Sequence, residues 1–491
     1  MREIGVVQYS KETHSSANML LNFGLMDQVT LNKNLTWLWG KDSDMFPLLT
    51  LTEGMNATLG KKALNGGDSQ YKWKIASRMR HTSNVVALLS NTSTPGLGFL
   101  PFEVEMKDNW LIYQYGAITP DGQHQVRLQS EGKKTTRGTY IYTMQLSGGK
   151  AGEYIPLSNF ESGKAWACSA PAIAASKSNG NRSNSMSFNE ATNQFGFYRF
   201  SKQITGEYGS KLCNIEFDLE GGGKTNYFIP YEMKLFEIDK KLMLEEELWF
   251  SEYNRDKNGV IHLLDPETQE VIPRGAGIKD ILKGVNNYDT FSKLTLAKLD
   301  TIMTRIYSNR VDDTPTEIVL YCGDGFFREF NNAIQETVAG QQYFVKMGEE
   351  SISSGGDYLT YGRYFNQYRT VDNRLITVKP VKLFNHGIRA QQDRENGRMY
   401  KGLPISSYTG VFLDHSKSNN GERNVKLVYE EGRENMIGVY RGMTNVPPVW
   451  GLVNDLRIDT KVDEASYEVI TSQGINIDNP TTSFWLDLSL D

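Results

Sequence analysis

Apolar residues in the first 65 positions fall in short clusters without a sustained period: Leu20, Leu21 and Phe23, then Trp37, Leu38 and Trp39, then Phe46, Leu48 and Leu49. This predicts an extended arm with one or two short helices. An arm rich in Trp and Leu needs a surface to lie on, in its own subunit or in a neighbour. From Tyr71 to about Gln203 the period becomes two, as in Tyr71, Trp73 and Ile75; Phe102, Val104 and Met106; Tyr140, Tyr142 and Met144; and Phe195 and Phe197. Such alternation predicts β-strands with one buried face. Thr119-Pro120-Asp121-Gly122 and Gly148-Gly149-Lys150 read as turns, and the polar stretch 176–187 as a mobile surface loop.

The strongest helix is expected over 230–253, with Pro230 where a helix tolerates proline and Tyr231, Leu235, Ile238, Leu242, Trp249 and Tyr253 forming a one-sided stripe. At 1.5 Å per residue it would be about 35 Å long, a rod able to span a flat subunit. A hairpin follows, 260–264 with 270–272, and then a helix over 293–307 with Leu296, Leu299, Ile302 and Ile306 on one face. Next come a strand at 317–322, a Gly323-Asp324-Gly325 turn, and a helix carrying Phe326, Phe327, Phe330, Ile334 and Val338. Strands return at 375–378, 425–429, 436–440 and 467–470. This order predicts an α+β fold with a large β-rich insertion.

Composition narrows the function more by exclusion than by indication. A formal net charge of -5 over 491 residues leaves no basic footprint for nucleic acid or an anionic membrane. Cys168, Cys213 and Cys322 are odd in number and lack C-x-x-C spacing, which argues against a disulfide scaffold or a zinc ribbon. No apolar run approaches the roughly 20 residues of a membrane span, and the broken stretch at Met19 to Leu21 is too short for a signal peptide, so a soluble chain is expected. The sequons at Asn34, Asn56, Asn91 and Asn181 are then chance matches.

Three stretches imitate known sites. Asn254, Asp256, Asn258, Gly259 and Asp265 follow the spacing of a calcium loop, but the chain runs on into a hairpin and position twelve lacks the longer Glu. An Asn-Gly turn is the simpler reading. Gly221-Gly222-Gly223-Lys224-Thr225 ends like a phosphate loop, yet Asp218 stands where its first glycine belongs and a strand, not a helix, follows. Gly323-Asp324-Gly325 opens like a dinucleotide fingerprint, but Arg328 occupies the third glycine position, so core packing by Phe326 and Phe327 is expected. The six histidines are scattered, and nothing in the sequence singles out catalytic residues.

Read in order, the arm, the hairpin region, EIDKKLMLEEELWF, LTLAKLDTIMTRIY and PTEIVLYCGDGFFREFNNAI resemble the major capsid proteins of tailed double-stranded DNA bacteriophages, the Hong Kong 97-like fold. The elaborated β region and NMIGVYRGMTNVPPVWG are similar to capsid proteins of crAss-like phages. The resemblance implies an N-terminal arm (1–65), an extended loop with a β-rich insertion domain (66–228), a spine helix and peripheral domain (229–310), an axial domain (311–405) and a C-terminal return to the peripheral domain (406–491). It implies a structural subunit, not an enzyme, with no cofactor, no metal and no catalytic residue, that assembles as hexamers and pentamers of an icosahedral head around double-stranded DNA. The implied partners are copies of itself, portal and auxiliary or decoration proteins, and DNA through non-specific contacts, with no membrane. The implied location is the virion, after assembly in the host bacterial cytoplasm. Candidate intersubunit anchors are Trp37, Trp39 and Phe46 in the arm and Trp73, Trp110 and Tyr113 in the hairpin region, each of which could equally serve its own subunit's core. Removing the arm up to Gly60 is expected to leave a folded subunit that assembles poorly. The alternatives are another virion protein (tail, baseplate or head fibre), against which the helical middle from 230 to 338 argues, and a β-rich carbohydrate-active enzyme.

Overall fold

The computed structural model describes residues 42–51, 60–65, 69–75, 81–173, 187–205, 212–218, 224–308, 318–338, 344–346, 367–370, 375–417, 421–440 and 464–489. They fall into two compact units, one built from 1–73 with 192–491 and the other from the intervening 74–191. The fold is mixed α/β. Trp37, Trp39, Gly221 to Gly223 and all but the last residue of the polar loop at 176–187 lie outside the described residues.

In the first unit the organising element is a strand with no solvent face. Ile318–Cys322 (IVLYC) pairs in parallel with Leu375–Pro380 and antiparallel with Gly410–Asp414. Its unbroken apolar run is what a doubly covered strand requires. The full sheet has seven strands in the order Tyr288–Phe291, Phe484–Leu488, Gly410–Asp414, Ile318–Cys322, Leu375–Pro380, Gln367–Thr370, Phe344–Lys346. Alternate residues point to opposite sides. Ile318, Leu320, Phe412, Phe484 and Leu486 face the helices Leu296–Ser308 and Asp324–Val338, meeting Leu299, Ile302, Ile306, Phe326 and Phe330. Tyr321, Val411, Leu413 and Trp485 face the other way, onto Leu242, Leu248 and Trp249 of the helix Phe228–Phe250.

That helix is the expected rod, shifted by two residues at its start and three at its end. Pro230 sits within its first turn, where no intrahelical N–H is lost. The short helices Asp42–Met45 and Pro47–Leu51 press Met45, Phe46 and Leu48 into the same cluster as Trp249. The arm's root therefore belongs to the subunit core. Deleting up to Gly60 would remove three buried apolar side chains, so the expectation of an intact fold after that cut is overturned.

A second sheet is organised by one 14-residue strand, Glu464–Ile477. Its first ten residues pair antiparallel with Gly196–Thr205, and residues 466–470 also pair with Met436–Tyr440. Its last residues pair with Val425–Glu430, which in turn takes Gly60–Leu64 in parallel. The chain between 406 and 491 thus feeds strands into both sheets.

The second unit is a closed β-barrel. Six antiparallel strands run in the ring Phe102–Met106, Thr82–Leu88, Ala165–Pro171, Tyr115–Ile118, Gln125–Leu128, Tyr140–Leu146 and back to Phe102–Met106. Val85, Val104, Met106, Val126, Tyr142, Met144 and Trp166 fill the interior. Closure leaves no sheet edge in the ring. The compact unit ends at Ala191, well short of 228. The alternation of 196–205 looks like that of a barrel strand, but its partner is the long strand near the C-terminus, a pairing that periodicity cannot reveal.

Gly410 lies on the face that packs the helix Asp324–Val338, and a Cβ there would sit 2.4 Å from the Phe326 ring. Gly410→Ala should therefore cost about 1–3 kcal/mol through overpacking, measured by chemical denaturation. Gly284→Ala, where a Cβ meets nothing within 4 Å, should stay within about 0.5 kcal/mol.

Candidate functional site

The most elaborate polar arrangement ties the arm's root to the rod. Glu245, fully buried on Phe228–Phe250, accepts hydrogen bonds from the Leu48 and Leu49 backbone N–H groups at 2.9 and 3.0 Å, satisfying donors that a helix start leaves open. One turn on, Trp249 Nε1–H donates to Glu245 Oε1 at 2.9 Å. Burial pushes the Glu245 carboxyl up to about 7, against the pull of these donors and of Lys379. Trp249 packs edge-on against Tyr321, Phe384 and Trp485, and Tyr321 Oη lies 3.0 Å from His415 Nε2. Burial first, then Arg423 and Lys379, lowers His415 to about 3, so its ring is neutral at ordinary pH. Next to this tether, Glu246 pairs with Arg389 at 2.8 Å, and the Arg389 guanidinium lies 4.1 Å from the Phe250 ring centroid. These shifts follow from a dry core that holds the arm in place. Among the described residues no group of three His, Cys, Asp or Glu side chains could hold a metal ion.

The imitation sites resolve into ordinary backbone chemistry. Asp256 Oδ1 accepts the N–H groups of Asn258 and Val260, its Oδ2 lies 3.2 Å from His262 Nε2, and Gly259 takes φ +81°. This is a tight turn using the left-handed region that glycine tolerates. At the start of Asp324–Val338, Asn385 Oδ1 accepts from the Asp324 N–H and Ser407 Oγ from the Gly325 N–H. The amides a phosphate would need are already occupied by this chain's side chains.

Among the described residues of the first unit, several apolar side chains stand exposed on ordered elements. In the hairpin of residues 255–272, Val260, Leu263, Leu264, Val271 and Ile272 are 38 to 55% exposed, and only Ile261 is buried. Bridges Arg255↔Ile261 and Leu264↔Val271, with the bonds Asp265 N–H to Glu270 O and Ile272 N–H to Leu263 O, keep it ordered. Apolar residues at adjacent positions 263 and 264 cannot share one face of a strand. That adjacency is the sign in the sequence that this hairpin does not bury all its apolar residues on one face. Met436, Ile437 and Tyr440 on the strand Met436–Tyr440 are likewise at least half exposed.

Of the candidate anchors, Phe46 is 2% exposed and spends its side chain on the subunit's own core. Trp73 is half-buried against Tyr71, Phe195 and Val428, with its Nε1–H donating to Asp478 O at 3.2 Å. In the barrel unit Trp110 and Tyr113 are half-buried on either side of the fully buried Leu111. Trp37 and Trp39 lie outside the described residues. Within the first unit, Phe46 and Trp73 belong to different apolar clusters.

A family model described as "Crassvirus major capsid protein" matches residues 16–490. A comparison with curated proteins finds no match. Among solved structures the chain is similar to the holo-SrpI encapsulin complex of Synechococcus elongatus, at 10% identity and TM-score 0.31, over 61% of this chain and 75% of that one. Mycobacterium phage Patience is similar at 10% identity and TM-score 0.33, over 65% and 78%. The capsid of cyanophage P-SCSP1u is similar at 9% identity and TM-score 0.31, over 65% and 81%.

A carboxyl held at about 7 in the fold, against an ordinary value near 4.5, binds a proton in the folded chain that the unfolded chain has released. Its contribution is fullest below pH 4.5 and is lost as pH rises through 7. Wild type should therefore lose about 3 kcal/mol relative to Glu245→Gln between pH 4.5 and 8. Denaturation midpoints of the pair across that range measure this, and a pH-independent difference would contradict it. His415 has the opposite sign: its contribution is full above pH 6.5 and is lost as pH falls toward 3.

Proposed function

Because the chain belongs to the crassvirus major capsid protein family, and so is a structural subunit of a bacteriophage shell, we propose that it closes that shell as hexamers and pentamers of an icosahedral head. The match of one family model to nearly the whole chain, 16–490, carries this reading.

In the proposed arrangement, of the Hong Kong 97-like kind, Phe228–Phe250 is the spine helix. The sheet organised by Glu464–Ile477 is the peripheral layer. The seven-stranded sheet with its two helix-covered faces is the axial layer, and the barrel is an insertion in the extended loop. The two sheets share Phe228–Phe250 and the strands of 406–491, so load applied to one layer reaches the other through covalent chain and a dry core. The same subunit contact repeated under closed symmetry turns modest pairwise affinities into a stable container. Portal and decoration proteins, and DNA held without sequence preference, would be the remaining partners, with assembly in the host cytoplasm.

The arm takes the role of a strap to a neighbouring copy, fastened at its root by Glu245. Trp37 and Trp39 are its proposed anchors, with Trp73, Trp110 and Tyr113 as further candidates beyond it.

Electron microscopy of the purified chain, alone and with its natural assembly partners, should show closed shells or hexameric sheets. A monomer under every condition would overturn the reading. Removing residues 1–41, which spares Met45, Phe46 and Leu48, should leave the melting transition within a few degrees of wild type while lowering shell yield by at least about tenfold. Normal shells from that truncation would show that the arm bears no contact.

A further inference from the structure

The hairpin of 255–272 holds five half-exposed apolar side chains that no layer among the described residues covers, and a two-stranded hairpin of this kind is marginal on its own. Its far end is acidic, while Arg255 and Lys257 stand at its base. From Leu263 to Ile272 there are three carboxylates, Asp265, Glu267 and Glu270, and no Lys or Arg. Asp265 is held ionised by the Glu267 N–H and by the Thr268 hydroxyl within the turn. Neither Glu267 nor Glu270 forms an ion pair among the described residues.

The barrel unit carries the opposite charge on an equally ordered turn. Lys133–Lys134 pairs with Ile141 and Tyr140, and the chain turns back through the bonds Thr135 N–H to Thr139 O and Gly138 N–H to Thr135 O. Lys133, Lys134 and Arg137 are exposed, and none of them forms an ion pair among the described residues. Long aliphatic stems ending in cations can cover Val271 and Leu264 while their heads reach Glu267 and Glu270.

We infer that the hairpin of one copy docks onto the basic turn around Lys133, Lys134 and Arg137 of a second copy. The inference rests on the shell-subunit reading, since a shell sets copies of this chain against one another. It commits to a head-to-tail contact, in which two different patches meet, the kind that closes into rings under rotational symmetry. Charge complementarity selects the occupant: the turn of a second copy supplies three unpaired cations for three carboxylates, and like charges set together would repel.

The test is charge reversal followed by mixing. Lys133→Glu/Lys134→Glu/Arg137→Glu and Glu267→Lys/Glu270→Lys alter exposed turn positions, so both chains should melt as wild type does. Each alone should give at least tenfold fewer shells, and weaker pairwise association in sedimentation below the shell-forming concentration. An equimolar mixture of the two should recover the pairwise association, because each chain then finds its opposite charge only on the other, and the chain carrying all five changes should recover shells, since a five-membered ring cannot alternate two kinds of chain. Normal assembly by either variant alone overturns the inference. So does a mixture that shows no pairwise association while the chain carrying all five changes assembles, which would mean the two turns pair within one chain. Should either reversal unfold the subunit, Glu267→Gln/Glu270→Gln keeps the test, with a loss of several-fold expected and no loss overturning it. Wild-type chain that associates in this charge-dependent way but never forms shells would refute the shell reading and leave the contact standing. Wild-type shells indifferent to every reversal would do the opposite.

Discussion

Everything in the larger unit depends on the strand Ile318–Cys322 having no face toward water. Five consecutive apolar residues in an extended chain bury side chains in both directions, so two layers must be recruited to cover them. One is local, the helices Leu296–Ser308 and Asp324–Val338, which flank the strand in sequence. The other is distant: the rod ends beside the sheet some seventy residues earlier, and the arm's root lies further back still. The aromatic group of Trp249, Tyr321, Phe384 and Trp485 is where these distant pieces meet, and edge-on packing among them adds directional preference to bulk burial.

That meeting point explains why a carboxylate is tolerated in the driest part of the molecule. The short helix at 47–51 must start somewhere, and its first N–H groups, once buried, need an acceptor. Glu245 supplies it from the rod, at the cost of desolvating its own charge. The result is a joint that is specific in position. Apolar burial of Met45 and Phe46 alone could slide along the rod, whereas two backbone donors on one carboxylate cannot.

Much of this was legible in the sequence. The rod, the doubly buried strand and the helix entered through Phe326 all announce themselves by period and by length, and each lies within three residues of its expected place. The Gly323-Asp324-Gly325 stretch, expected as a turn, already opens the helix Asp324–Val338, and its role in packing was readable because the fingerprint it imitates breaks at Arg328. Less legible was anything that depends on a partner far away in the chain. The strand Gly196–Thr205 alternates as the barrel strands do, yet it pairs with residues 464–473. Phe46 has the composition of an exposed anchor and the position of a core residue, and only the fold distinguishes the two. The hairpin of 255–272 was legible as a hairpin, and its exposure was legible only in the adjacent apolar pair Leu263 and Leu264, which cannot share a face.

One feature of the barrel bears on how such a subunit can change over time. The chain leaves the larger unit through Gln70–Ile75 and returns through Asn189–Gln194, and these two strands pair with each other. The ring between them satisfies its own backbone hydrogen bonds and fills its own interior. A stretch with adjacent ends and a private core behaves as a cassette: it can be lengthened, replaced or lost in one genetic event while the two sheets, the rod and the arm's joint keep every residue they need.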